Sequence, residues 1–171
     1  MKNIVLIGMP GAGKSTIGVI LAKVLGMSFI DSDILIQEQE GRLLKEIIET
    51  EGIEGYLTVE NLVNCEIAAQ NSVIATGGSV VYCSEAMEHL RQIGTVIYIK
   101  LSFDTIEERL GCIRQRGVVL REEQNLRSLY DERRPLYEKY AHVIIEGEGL
   151  GIEEIMDKIT FCIVGNDHYQ Y

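Results

Sequence analysis

Residues 8–18 read GMPGAGKSTIG, directly after the apolar run NIVLI. Gly8, Gly13, Lys14 and Ser15 fill every fixed position of the pattern G-x-x-x-x-G-K-[ST], which builds a loop around nucleotide phosphates. Glycine is needed where a Cβ would block a tight turn or the approach of a phosphate. The backbone N–H groups of Gly11, Ala12, Gly13, Lys14, Ser15 and Thr16 then face inward as an anion nest. A helix starting near Gly13 adds the positive end of its dipole. Lys14 is placed to reach the β and γ phosphates, and the Ser15 hydroxyl to ligate Mg²⁺. A chance glycine turn explains less, because a β-branched strand precedes the loop and an apolar-periodic helix, IGVILAKVLG, follows it. The loop alone does not say whether the phosphoryl group is transferred, hydrolysed or merely sensed.

The rest of the chain narrows that choice. Its 171 residues suit one domain with a well-buried core. No run of 18 apolar residues suggests a membrane span, and the N-terminus enters a strand without a visible signal peptide. Cys65, Cys83, Cys112 and Cys162 are scattered without C-x-x-C spacing and read as buried thiols of a cytoplasmic protein. A net charge of −10 argues against nucleic acid as partner.

Short β-branched runs, NIVLIG, MSFID, SVIATGG, TVIYIKL and HVIIEG, read as strands buried on both faces. Helical patterns lie between them at 14–26, 34–50, 53–70, 84–93, 103–114, 123–140 and 151–160, the fifth opening on an Asp104–Glu107 capping box. The alternation predicts an α/β fold: a five-stranded parallel sheet sandwiched by helices. Ligands of such sheets bind beyond the carboxyl ends of the strands.

After the second strand stand Asp31 and Asp33, two apart and directed alike. One could help hold hydrated Mg²⁺ while the other orients or deprotonates an acceptor hydroxyl. An Asx turn capping the next helix explains the pair as well. After the third strand comes TGGS, Thr76 to Ser79, either a backbone-lined ligand site or a plain turn. The segment 114–134 carries six of the 16 basic residues: Arg114, Arg116, Arg121, Arg127, Arg133 and Arg134. Arg116 reads as a lid residue that neutralises the transferring phosphoryl group. Arg133 could return to the site from the following helix. Arg114, Arg121 and Arg127 fit a solvated face with i,i+4 partners among Glu122, Glu123 and Glu132. The chain has no N-K-x-D motif of a GTPase switch and no hydrophobic-D-E strand end of a motor.

In its order of motifs the chain resembles the shikimate kinase family over about residues 1–160. The matching pieces are GMPGAGKSTIG, FIDSD, the EG of TEGIEGY, Glu60 of TVEN, ATGGS, RGVVL and ERRPLYEKYA. The resemblance implies a P-loop kinase with a small lid at about 114–123, spanning 1–161, with 162–171 as a tail. It implies ATP and Mg²⁺, transfer of the γ-phosphoryl group to the 3-hydroxyl of shikimate, and a monomer with no nucleic-acid or membrane partner. Carried over, Gly11 to Thr16 bind ATP phosphates, Ser15 and Asp31 serve the metal, and Asp33 holds the acceptor hydroxyl as base. Gly77 and Gly78 line the acceptor site, Arg116 covers the phosphates and Arg133 grips a carboxylate. The chain departs from the family at four places. Leu57 stands where a second carboxylate-binding arginine is expected, and the family's triple glycine is GGS here, by replacement with Ser79 or by deletion of one residue. Gly117 replaces a lid proline, and the late basic residue near the adenine is missing from EGEGLGIEE. Arg134, Arg42 and Lys45 are candidates to replace the lost arginine. Two other readings stay open: a kinase for another small hydroxyl compound (a sugar acid, polyol or hydroxy amino acid), and a nucleotide-binding regulator without turnover.

Overall fold

The computed structural model describes residues 2–111 and 124–164. Five strands are all parallel, in the order β2-β3-β1-β4-β5: β1 (Asn3–Ile7), β2 (Ser28–Asp31), β3 (Ser72–Ala75), β4 (Gly94–Lys100) and β5 (Val143–Glu146). Every residue of β1 and β3 is buried, which requires helices over both faces of the sheet. β2 and β5 are the edges and are partly exposed, so the expectation of strands buried on both faces fails there. An edge strand has a neighbour on one side only.

The helices are α1 (Lys14–Leu25), α2 (Ser32–Glu40), α3 (Leu44–Cys65), α4 (Ser84–Ile93), α5 (Phe103–Gly111), α6 (Leu126–Tyr140) and α7 (Ile152–Val164). The expected helix 34–50 is broken after Glu40, the expected division before 53 falls at Gly52, and the following helix ends at Cys65 rather than 70. Gly41 ends α2 in the left-handed region, and α3 runs on through a kink at Gly52 (φ 71°, ψ −179°). The expected Asp104–Glu107 box is replaced by Ser102, whose hydroxyl oxygen accepts from the Thr105 N–H at 3.3 Å. α7 extends to Val164, three residues into the expected tail, because Cys162 and Ile163 keep packing on the core. Among the cysteines, Cys83 is buried, while Cys65 and Cys162 are only half-buried.

Two apolar clusters form. The larger one surrounds the sheet; a smaller one, Ile36, Ile47, Tyr56 and Val63, lies between α2 and α3. Leu35 and Leu57 pack against both. No helix of the described residues is long and apolar enough to cross a membrane.

Candidate active site

The loop between β1 and α1 is shaped by its glycines. At Gly8 (φ 150°) a Cβ would lie 2.8 Å from the Ile99 carbonyl oxygen, so the loop can press against β4 only without a side chain. Gly13 (φ 92°) turns the chain into α1. Lys14 folds back over the loop, its Nζ donating to the carbonyls of Gly8 and Met9 at 2.8 and 2.9 Å. Burial lowers the pKa of this ammonium to about 8, against the opposing pull of the Asp33 charge.

Asp31 ends β2 and joins two elements. Its Oδ1 accepts from the N–H groups of Asp33 (3.0 Å) and Ile34 (3.4 Å), capping α2. Its Oδ2 accepts from the Ser15 hydroxyl at 2.6 Å. The helix-capping alternative therefore holds for Asp31, together with a contact to the phosphate loop. A hydroxyl and a carboxylate side by side are hard oxygen donors, a set that fits Mg²⁺.

Asp33 lies in the first turn of α2 and does not cap it. Its Oδ1 is buried and has no hydrogen-bond partner among the described residues. Burial pushes its pKa up to about 6, the Asp31 charge adds to that, and Lys14 pulls it back. A carboxylate so tuned ionises just below neutrality, where a general base is most useful.

Gly77 and Gly78 follow β3. A Cβ on Gly77 would sit 2.6 Å from Glu60 Oε1 and 2.7 Å from Asp33 Oδ1. Only glycine lets these two carboxylates converge. Glu60 is fully buried on α3, with Oε2 accepting from the Ser79 hydroxyl at 2.7 Å and Oε1 without a partner. Burial pushes its pKa up to about 8; the Ser79 bond opposes this and the Asp33 charge adds to it. Ser79, which follows the two glycines, thus points inward and holds a buried acid.

The raised Glu60 pKa has a consequence for stability. In the unfolded chain the group ionises near 4.5, in the folded protein near 8. Below 4.5 both states are protonated and nothing is lost; between 4.5 and 8 only the unfolded state releases the proton, so folding weakens as pH rises. Glu60→Gln is expected to abolish this slope, gaining on the wild type by about 2–5 kcal/mol between pH 5 and 8. Urea unfolding at a series of pH values checks it; parallel curves for both proteins would refute it.

Arg133 sits in the middle of α6 and is 1% exposed. Its Nη1 lies 3.2 Å from where a Gly78 Cβ would be. Tyr137 donates to the Gly78 carbonyl at 2.6 Å. Burial works against the guanidinium charge; the phenols of Tyr137 and Tyr82 and the carboxyl of Glu60 offset it. α6 therefore brings a buried cation to the acceptor glycines.

The other basic residues are placed differently. Arg127 is exposed, as expected, but pairs with Asp131 at 3.1 Å and lies over the Phe103 ring. Arg42 is bound to Glu40 (2.6 Å), Glu51 (2.5 Å) and Thr50, and Lys45 faces Glu49 at 3.5 Å, so both are engaged away from the acceptor glycines. Arg134 is exposed, one position round α6 from Arg133. Arg114, Arg116, Gly117, Arg121 and the lid at 114–123 lie outside the described residues.

Beside the phosphate loop is a cavity of about 300 Å³, lined among others by Ala12, Thr16, Arg109, Leu150 and Ile152. Arg109 Nη1 donates to the Gly11 carbonyl at 3.2 Å. Sequence reasoning missed Arg109, because a basic residue in the last turn of a helix also suits its dipole. It missed Tyr82 and Tyr137 as well, which look like ordinary core aromatics.

The family model for shikimate kinase matches residues 10–163. A shikimate kinase of Legionella pneumophila (strain Corby) is 40% identical over 168 residues, covering 96% of each chain. A shikimate kinase of Francisella tularensis subsp. novicida is 39% identical over 167 residues, covering 95% of each. The solved shikimate kinase of Acinetobacter baumannii in complex with shikimate superimposes with a TM-score of 0.89 at 35% identity, over 99% of this chain and 96% of that one. The chain belongs to the shikimate kinase family.

Proposed function

We propose that this enzyme transfers the γ-phosphoryl group of ATP to the 3-hydroxyl of shikimate. One observation carries the reading: the unpartnered oxygen of Asp33 and the buried guanidinium of Arg133 face neighbouring glycines, Gly77 and Gly78. A base for a hydroxyl and a cation for a carboxylate thus stand side by side, as a hydroxy acid requires. Gly11 to Thr16 and Lys14 hold the phosphates, and the Ser15–Asp31 pair would hold Mg²⁺. When bound, that ion neutralises charge on the β and γ oxygens. Asp33 orients the acceptor hydroxyl and takes its proton as the new P–O bond forms. Lys14 meets the negative charge that develops on the phosphoryl oxygens. Arg116 is proposed as the lid arginine on the phosphates. The kinase is taken to span 1–161 and to work as a monomer, since one chain supplies the phosphate loop, the base and the acceptor cation. The free thiols Cys65, Cys83 and Cys162 suit a reducing, cytoplasmic setting.

Leu57 favours a second reading, a less acidic hydroxyl acceptor. It is half-buried and packs against both apolar clusters, so it offers a carboxylate nothing. Loss of one charge-assisted bond weakens binding by about 10- to 150-fold. On the shikimate reading, Leu57→Arg should leave KM for shikimate unchanged or worsen it. A wild-type KM in the millimolar range that falls about tenfold or more in the variant would sink shikimate as the acceptor. A coupled ADP-release assay with shikimate, sugar acids, polyols and hydroxy amino acids separates the acceptors. It also identifies a regulator, which would release no ADP with any of them.

A further inference from the structure

Tyr82 stands at the end of the short 3₁₀ turn Val80–Tyr82, directly after the acceptor glycines. Its phenol oxygen accepts from Arg133 Nε at 3.3 Å, and its ring lies beneath the guanidinium, 5.2 Å from the ring centre. On its other side the same hydroxyl donates to Glu132 Oε1 at 2.5 Å. Glu132 is held in turn by Gln124, whose Nε2 donates to Oε2 at 3.2 Å.

A phenol has one proton. Here the Glu132 carboxylate takes it, so the lone pairs must face Arg133. Tyr82 thus holds the guanidinium at Nε, beside the bond that Arg133 shares with the Tyr137 phenol. A guanidinium binds a carboxylate through a rigid planar fork, and its value depends on the plane in which that fork is held. This control matters most where Leu57 contributes no second cation.

We infer that Tyr82, anchored by Glu132, is a positioning residue for the acceptor carboxylate, fixing the plane in which Arg133 meets it. The inference rests on the proposed acceptor being a carboxylic acid. Nothing in the phosphate loop depends on it.

Tyr82→Phe keeps the ring and removes the hydroxyl. KM for shikimate is expected to rise about three- to tenfold, with kcat and the KM for ATP essentially unchanged. Shikimate methyl ester, which lacks the charge, should show no such rise. Glu132→Ala should act in the same direction and add nothing in the Tyr82→Phe background, because it works through the phenol. Equal shifts for acid and ester, an unchanged shikimate KM, or an undiminished Glu132 effect in the double variant would overturn the inference. A second measurement does not depend on the acceptor: solvent exchange of the Arg133 Nε–H by NMR. It should quicken by about tenfold in Tyr82→Phe, the loss of one hydrogen bond. If the wild type phosphorylates neither acid nor ester, the proposed acceptor fails, and this exchange rate alone decides on Tyr82. An equal rate in both proteins then rejects it.

Discussion

Lys14→Ala is expected to lower turnover by about a thousandfold or more, because the lost charge acts on charge that develops only in the transition state. The side chain is buried and tied to two loop carbonyls, while Arg109, the other cation on this loop among the described residues, is engaged by the Gly11 carbonyl at 3.2 Å. A second effect follows from its neighbours. Lys14 is the group that pulls the Asp33 pKa back down. Without it the residual activity should rise with pH later than in the wild type, above pH 6. Single-turnover rates across pH 5–9, with circular dichroism as a check on folding, test both. Turnover within about tenfold of wild type would mean that the loop is not the catalytic phosphate site.

Asp33→Asn should reduce kcat by about a hundred- to ten-thousandfold while ATP binding stays near normal. The wild-type rate should rise through about pH 6 as the carboxyl ionises. In the variant this ascending limb should vanish, since an amide does not titrate. The substitution is close to isosteric and removes a charge that burial disfavours, so by the same linkage as for Glu60 the fold should be kept or stabilised near neutrality. A variant that loses ATP affinity and melting temperature, with kcat largely kept, would assign Asp33 to structure and remove it from catalysis.

The parts of this molecule legible in the sequence are those governed by neighbours along the chain. β1, β3 and β4 show as apolar runs because both their faces are covered. The phosphate loop shows because its backbone needs glycine at fixed spacing. Asp31 and Asp33 show because they follow a strand end. The break between α2 and α3 was not legible: Gly41 ends one helix inside a stretch that reads as continuous, whereas the interruption at Gly52 falls where the apolar pattern divides 34–50 from 53–70. Burial of a charged side chain was equally hidden. Glu60 comes from α3, meets Gly77 after β3, and lies under Ser79; no local pattern announces that a helical glutamate will be enclosed. Arg133 was found as one of a cluster of arginines, but its hydrogen bond to Tyr82 joins residues 51 apart and leaves no local trace.

The small apolar cluster between α2 and α3 is separate from the core around the sheet, and Leu35 and Leu57 pack against both. Cooperativity between two such regions depends on the contacts they share. Polar contacts join them as well: the Ser79 hydroxyl donates to Glu60 at 2.7 Å, the Ala86 N–H to Asn61 at 3.1 Å and the Cys83 thiol to the Leu57 carbonyl at 3.4 Å. An acceptor gripped by Asp33 on α2 and Arg133 on α6 would tie the two regions from outside, doing by ligation what Leu35 and Leu57 do by packing. A ligand held by both regions should therefore add its binding free energy to the stability of their junction. An arginine at position 57 would remove one of those apolar ties, and in this protein would exchange cohesion between the two regions for charge at the substrate.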